Sequence, residues 1–286
     1  MKNLKYLIKF ILLIIFFVIF KFLGPNLSSK FSGKIFETIG PLFRSKKIIY
    51  ENIKRAMPEI NTENLKRITK LMWNNYGKIF AEYMFIKKFR KGNLSSKIII
   101  DGQEILEEIK KNKEQVVFIS GHLSNFELMA LHLEKSGINL AAIYRPLNNF
   151  YLNPLMEKIR EKYICKYQIK KGIGGIKKLI RLKKKNYSTA LMIDQRVSEG
   201  ILSKFFKHEA LTTTVPAKLV KKFNIPVVPV YIDRIEGLNF KITIKKPIFF
   251  SNLKSVKDIT DELNLELENM VMKKPENWIW SHNRWK

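Results

Sequence analysis

The apolar run Val116-Val117-Phe118-Ile119-Ser120 leads into Gly121-His122-Leu123-Ser124-Asn125-Phe126-Glu127, placing a titratable base and an acid just past a buried strand. In Rossmann-like sheets ligands bind at this carboxyl end of a strand. On one continuous helix, positions five apart are separated by about 140°, so His122 and Glu127 would face apart. They meet if His122 sits in the glycine turn and the helix begins near Ser124. Glu127 in the first turn would then bond one imidazole nitrogen, fix the tautomer and leave the other nitrogen basic toward a hydroxyl. Ser124-x-x-Glu127 also reads as a capping box, in which Glu127 closes back on the Ser124 amide. Spacing alone leaves both readings open.

Other residues could serve the same cleft. Asp194-Gln195-Arg196 closes a second strand, so these side chains either line the cleft or, for Asp194, anchor the turn. Thr214 precedes Pro216 and an apolar helix, a pattern that caps a helix or offers amides to an anion. The single cysteine, Cys165, excludes a disulfide framework or a Cys-rich zinc site. His122, His132, His208 and His282 lack zinc-finger spacing, and no metal site is expected.

The elements that must position these groups follow from periodicity. Residues 26–60 read as a linker with short helices, punctuated by Gly33, Gly40, Pro41 and Pro58. A helical pattern runs from Thr62 to about Phe89, its aromatic-rich face expected in the core. Buried strands are expected at 98–100, 116–120, 140–144, 190–193 and 227–232, with an alternating strand at 240–244. Helices are expected near 125–136, 152–162, 174–185, 215–223 and 253–273. This order predicts an α/β fold, a mixed and largely parallel sheet flanked by helices, preceded by an N-terminal hydrophobic anchor helix. The expected division is 1–25 anchor, 26–95 helical segment and 96–286 α/β core.

The anchor rests on Phe10 to Phe20, eleven residues without a polar side chain, inside a stretch Leu4 to Leu23 broken by lysines. Snorkelling lysines extend the apolar run toward a bilayer's thickness, whether the helix spans or lies in the interface. Phe22-Leu23-Gly24-Pro25-Asn26 is a poor cleavage site, so this is not a secretory signal. Basic residues are denser after the helix than before it, which keeps the main domain on the cytoplasmic side.

Fifty-three Lys and Arg against 25 Asp and Glu leave a net charge of +28. Hydrophobic content of 46% excludes a disordered basic tail. The charge alone permits nucleic acid, an anionic membrane or an acidic partner. No RNA-recognition motif or recognition helix with a dimer signal is present, and the anchor favours lipid. Between Glu161 and Asp194 there are ten basic residues and no acid. The helix within that stretch turns Lys177, Lys178, Arg181 and Lys183 to Lys185 outward, either as a solvated face or toward anionic lipid or an acidic carrier. Trp278, Trp280 and Trp285, with His282 and Arg284, suit either an interfacial belt or packing on the core.

Gly121-His122-x-x-Asn125-x-Glu127 resembles the His-x4-acid motif of glycerolipid acyltransferases, in the form used by the lipid A late acyltransferases. Tyr144-Arg145-Pro146, Asp194-Gln195, Phe205-Phe206 with Thr212-Thr213-Thr214-x-Pro216-Ala217, Pro226-Val227-Val228-Pro229-Val230 and Trp278-x-Trp280-x-His282-x-Arg284-Trp285 resemble further blocks in the same order. The resemblance implies transfer of an acyl chain from an acyl-carrier-protein thioester to a hydroxyl of a Kdo-bearing lipid A precursor. The setting would be the cytoplasmic face of the inner membrane, with partners acyl carrier protein, the phosphorylated glycolipid and the anionic bilayer. It implies His122 as general base oriented by Glu127, no cofactor, and substrate contacts from Asn125, Arg145, Asp194, Gln195, Thr213 and Thr214. Arg145 would bind an acceptor phosphate or stabilise the oxyanion, unless it pairs with a carboxylate such as Asp194. The rival readings are an acyltransferase for another glycolipid or a lysophospholipid, and a non-enzymatic basic membrane-binding protein.

Overall fold

The short apolar runs are too brief for helices and become strands, and the amphipathic stretches between them become the crossovers. The computed structural model describes residues 2–286. Its strands are β1 (Ile98–Asp101), β2 (Val117–Ser120), β3 (Leu140–Tyr144), β4 (Tyr167–Lys170), β5 (Ser188–Met192), β6 (Ile201–Phe205), β7 (His208–Thr212), β8 (Val227–Glu236) and β9 (Asn239–Ile244). Seven form one sheet in the order β1-β9-β8-β2-β5-β3-β4. The β8–β9 pair is antiparallel and the other pairs of this sheet are parallel. β6 and β7 form a separate antiparallel hairpin.

The helices are α1 (Lys2–Phe43), α2 (Lys46–Ala56), α3 (Thr62–Glu82), α4 (Ile86–Lys91), α5 (Gln103–Lys111), α6 (Glu127–Lys135), α7 (Leu152–Tyr163), α8 (Ile173–Lys183), α9 (Val215–Phe223) and α10 (Val256–Lys273). They flank the mixed, mostly parallel sheet expected from the sequence. β2 is buried at every residue, as a central parallel strand must be.

The segment after residue 25, expected as a linker with short helices, continues as one helix to Phe43. α1 breaks only at Gly24, whose φ of 74° lies outside the helical region, and resumes at Pro25. Pro fits the first turn of the resumed helix, where an amide donor is not needed. Gly33 and Gly40 do not punctuate this helix; they let α3 approach it. A Cβ on Gly40 would lie 2.4 Å from the Trp73 ring, and one on Gly77 of α3 would lie 2.2 Å from the Ser32 carbonyl oxygen. Helix α5, strand β4 and the hairpin β6–β7 were not anticipated. The hairpin turns at Phe206 and Lys207, both at positive φ (50° and 65°), without the Asn-Gly that signals such turns.

α1 is the one candidate membrane-crossing helix among the described residues, with a mean hydropathy of 2.6 over its most apolar 18 residues. Its two faces differ. Phe16, Phe17 and Phe20 pack on Phe80, Phe10 lies against Tyr151, and Tyr6 meets Phe150 edge-on. Ile8, Ile11, Leu12, Ile15, Val18 and Phe22 face outward, exposed. The anchor therefore lies along the domain and presents a stripe of aliphatic side chains to its surroundings.

Candidate active site

β2, β3, β4 and β5 run parallel, so their carboxyl ends open at one edge of the sheet. β2 delivers His122 there through Gly121. A Cβ on Gly121 would lie 2.9 Å from the tip of the Leu267 side chain, which would have to shift, and 3.4 Å from the Asp194 Cβ, an ordinary contact. The chain then turns sharply: Ser124 has a φ of 45°, its amide donates to the Asn277 carbonyl (3.0 Å), and α6 begins only at Glu127. The helix start expected near Ser124 does not occur, and the capping box does not form. The Ser124 hydroxyl is buried without a partner.

The acid that holds the imidazole is Asp194, at the end of β5, and not Glu127. His122 Nδ1 donates to Asp194 Oδ1 at 2.8 Å, while Asp194 Oδ2 accepts the His122 amide (3.0 Å) and the Trp278 indole N–H (2.9 Å). The proton is thereby fixed on Nδ1, and Nε2 is left unprotonated. Phe126 packs edge-on against the ring, centroids 4.7 Å apart. Burial lowers the affinity of His122 for a proton, but the Asp194 carboxylate outweighs it and the pKa is raised above 6.5. Burial opposes ionisation of Asp194 as well. The His122 contacts and the Trp278 hydrogen bond overcome this and hold its pKa near 2.

Glu127 is committed elsewhere. Its Oε1 accepts from Arg160 of α7 at Nε (3.0 Å) and Nη2 (2.5 Å). Arg160 also lies over the Tyr144 ring, 5.7 Å from its centroid. The helix start explains the swap: with Glu127 as the first residue of α6, its side chain meets α7 across the cleft. Arg160 carried no signal in the sequence beyond being one base among many.

His122, Glu127 and Arg160 line a cavity of about 470 Å³ whose wall is largely apolar, with Phe126, Met129, Leu133, Ile164 and Leu191 among its residues. Arg145, Gln195 and Thr213 also line it. Arg145 makes no ion pair among the described residues, so the expected pairing with Asp194 is absent. Asn125 turns away from the cavity: it is buried, and its amide donates to Glu82 Oε2 at 2.9 Å. Glu82, itself wholly buried, binds Arg234 through both oxygens (2.6 and 3.0 Å) and accepts from Ser29 (2.7 Å). This buried group ties the His122 turn to α1, α3 and β8. Thr214 occupies the N-cap of α9, but its side chain makes no capping bond and is buried.

The carboxyl-terminal aromatic cluster packs inward, which rules out the interfacial belt. Trp278, Trp280 and Arg284 are fully buried, and Arg284 donates to the Leu211 carbonyl and Thr212 Oγ1, both at 2.6 Å. One expectation for the basic stretch changes. Lys183 is buried, 3% exposed, rather than outward. Cys165 is buried with its thiol pushed up to about 12, chiefly by desolvation, and bonds the Leu140 carbonyl at 3.3 Å. Among the described residues no three His, Cys, Asp or Glu gather as a metal-holding set.

Known proteins place this chain in a family. The chain is 25% identical over 201 residues to lipid A biosynthesis acyltransferase 2 of Shigella flexneri, covering 68% of this chain and 61% of that relative, about three fifths of its length. It is 23% identical over 268 residues to the lipid A biosynthesis myristoyltransferase of Escherichia coli (strain K12), covering 91% of this chain and 80% of that relative. Lipid A biosynthesis acyltransferase 1 of Shigella flexneri matches to the same extent. With residues 1–286 matching the family of bacterial lipid A biosynthesis acyltransferases end to end, the chain belongs to that family of O-acyltransferases.

Proposed function

We propose that the protein transfers a fatty acyl chain from an acyl-carrier-protein thioester to a hydroxyl of a Kdo-bearing lipid A precursor at the cytoplasmic face of the inner membrane. The observation that carries this reading is a buried Asp194 fixing His122 with Nε2 free, at a cavity walled by apolar side chains. Nε2 takes the proton of the acceptor hydroxyl as its oxygen attacks the thioester carbonyl. Asp194 stabilises the imidazolium that forms, and the imidazolium then protonates the departing thiolate, so the C–O bond forms as the C–S bond breaks. Arg160, which lines the same cavity and is held by Glu127, is the cation assigned to the developing oxyanion. The apolar wall suits a hydrocarbon chain and excludes water that would hydrolyse the thioester.

The outward stripe of α1 supports membrane association, and the basic surface suits an anionic leaflet and an acidic carrier protein. The direct test incubates the full chain in membranes with labelled acyl carrier thioester and either the Kdo-bearing precursor or a lysophospholipid, followed by mass spectrometry of the products. Acylation of the lysophospholipid alone would refute the lipid A reading; no acyl transfer to either would refute the reaction.

A further inference from the structure

Beside the apolar cavity lies a second, polar chamber of about 580 Å³. Its wall comes from the α1–α2 turn, Tyr76 of α3, Arg145 and Lys171 just past β3 and β4, the segment after β5, and the C-terminal segment from Ile279. The two spaces share Arg145, Lys171, Gln195 and Arg196, so one ligand can occupy both.

The chamber's charge is one-sided. Arg44, Arg145, Lys171, Arg196 and Lys286 line it, and no Asp or Glu among the described residues does. Arg44 and Arg145 have no ion-pair partner there. Lys171 touches Glu199 at 3.5 Å, an exposed contact that water screens and a better anion displaces. Arg196 is held in place: its Nε donates to the Lys286 carbonyl (2.9 Å) and its amide donates to His282 Nε2 (3.1 Å). The guanidinium fork of Arg196 is thus pre-positioned with Nη groups uncommitted. Ser198, Ser281 and Asn283 add neutral polar groups. Five basic side chains around one hollow repel one another, and the arrangement is relieved by an anion with several acceptor oxygens. Phosphate fits better than carboxylate, because it carries up to two charges and three oxygens for two or more guanidinium forks.

We propose that this chamber binds a phosphate group of the substrate and so sets the reacting hydroxyl against His122. This rests on the acyl-transfer reading and specifies the chemistry at its polar end. The phosphate comes either from a phosphorylated glycolipid acceptor or from the phosphodiester of the carrier's prosthetic arm; both present the same group.

The test uses the full chain in neutral detergent, wild type against Arg44→Gln with Arg196→Gln, and Lys111→Gln, exposed at the end of α5 and lining neither cavity, as a charge control. Binding of inorganic pyrophosphate is measured by calorimetry at low salt, and steady-state kinetics are run with both substrates varied. The double variant is expected to weaken pyrophosphate at least tenfold, and the control is expected to leave it unchanged. A rise in KM for the glycolipid assigns the phosphate to the acceptor, and a rise in KM for the carrier thioester assigns it to the donor. Arg196→Lys is expected to recover part of the loss. Absence of pyrophosphate binding to the wild type, or binding and both KM values equal in wild type and variant, overturns the proposal. Pyrophosphate binding that is lost in the variant while the wild type transfers no acyl group would overturn the reaction and leave the site standing. Because Arg44 is exposed, Arg44→Gln alone provides a variant that keeps its fold.

Discussion

Replacing Asp194 by Asn removes one charge and almost no volume. In the native site Oδ2 takes both the His122 amide and the Trp278 indole, while Oδ1 takes the imidazole proton. An Asn side chain keeps the first two bonds only by placing its oxygen at the Oδ2 position. Its NH2 group then points at Nδ1, which must become an acceptor, and the imidazole proton moves to Nε2, the nitrogen that should take the substrate proton. Losing a correctly placed general base costs about 10²–10⁴-fold in rate, or about 3–5 kcal/mol in the barrier. Without the carboxylate, burial is no longer outweighed, so the raised His122 pKa falls. The base form is lost as pH drops through that pKa, so the acid limb of the kcat profile lies above 6.5 in the wild type and moves to lower pH in the variant. Stopped acyl-transfer assays across pH, with Trp278 fluorescence confirming the fold, measure both effects. The reasoning is refuted if Asp194→Asn keeps kcat within about threefold, or if Glu127→Gln moves the acid limb and Asp194→Asn does not.

Lys183 is buried, its amine has no hydrogen-bond partner, it sits 5.6 Å from the Phe223 ring centroid, and desolvation lowers its pKa from 10.5 to about 8. The folded state holds this proton less tightly than the unfolded state, so stability is reduced below pH 8 and recovers as pH rises toward 10.5. Lys183→Met should therefore stabilise by about 2 kcal/mol at pH 7, and by less at pH 9.5, in urea melts; a less stable variant would count against burial of the charge. Ser124→Gly should raise the melting temperature by relieving a left-handed φ and removing an unpartnered buried hydroxyl, worth about 1 kcal/mol together; a lower melting temperature would contradict this. Glu82→Gln should cost about 3–5 kcal/mol because Arg234 is left buried without its counter-ion, whereas Glu82→Met with Arg234→Met should lose much less; equal losses would show the pair to be unimportant. Ile11→Lys with Ile15→Lys, on the outward stripe of α1, should shift the protein from the membrane pellet to the supernatant on flotation, and unchanged flotation would locate the attachment elsewhere.

Apolar periodicity was enough to place six of the seven sheet strands and the helices α6 to α10, because burial of β2 and its neighbours demands continuous apolar runs. β4 was hidden in a basic stretch, since its less buried side chains are Tyr167 and Lys170. The hairpin β6–β7 was hidden because its turn uses Phe and Lys at positive φ. Residues 26–43 read as a linker because Gly and Pro signal breaks locally, yet close packing of α1 on α3 rewards small residues in a helix.

His122, the candidate base, was legible from its place just past a buried strand and a glycine turn, together with the resemblance of the surrounding motif. Its partner was not. Glu127 is nearer in the chain, but the tight turn at Ser124 sends it to Arg160, while the parallel pairing of β2 with β5 brings Asp194 across 72 positions to Nδ1. The same holds for the C-terminal tryptophans, whose amphipathic character suited a bilayer until Asp194 and the hairpin claimed Trp278 and Arg284. Composition and local pattern determined the anchor, the α/β class and the chemistry available, since these depend on hydrophobicity and residue type along the chain. Which acid serves which base, and which cations are left free to meet a ligand, depended on sheet register and helix starts, and only the folded chain decided those contacts.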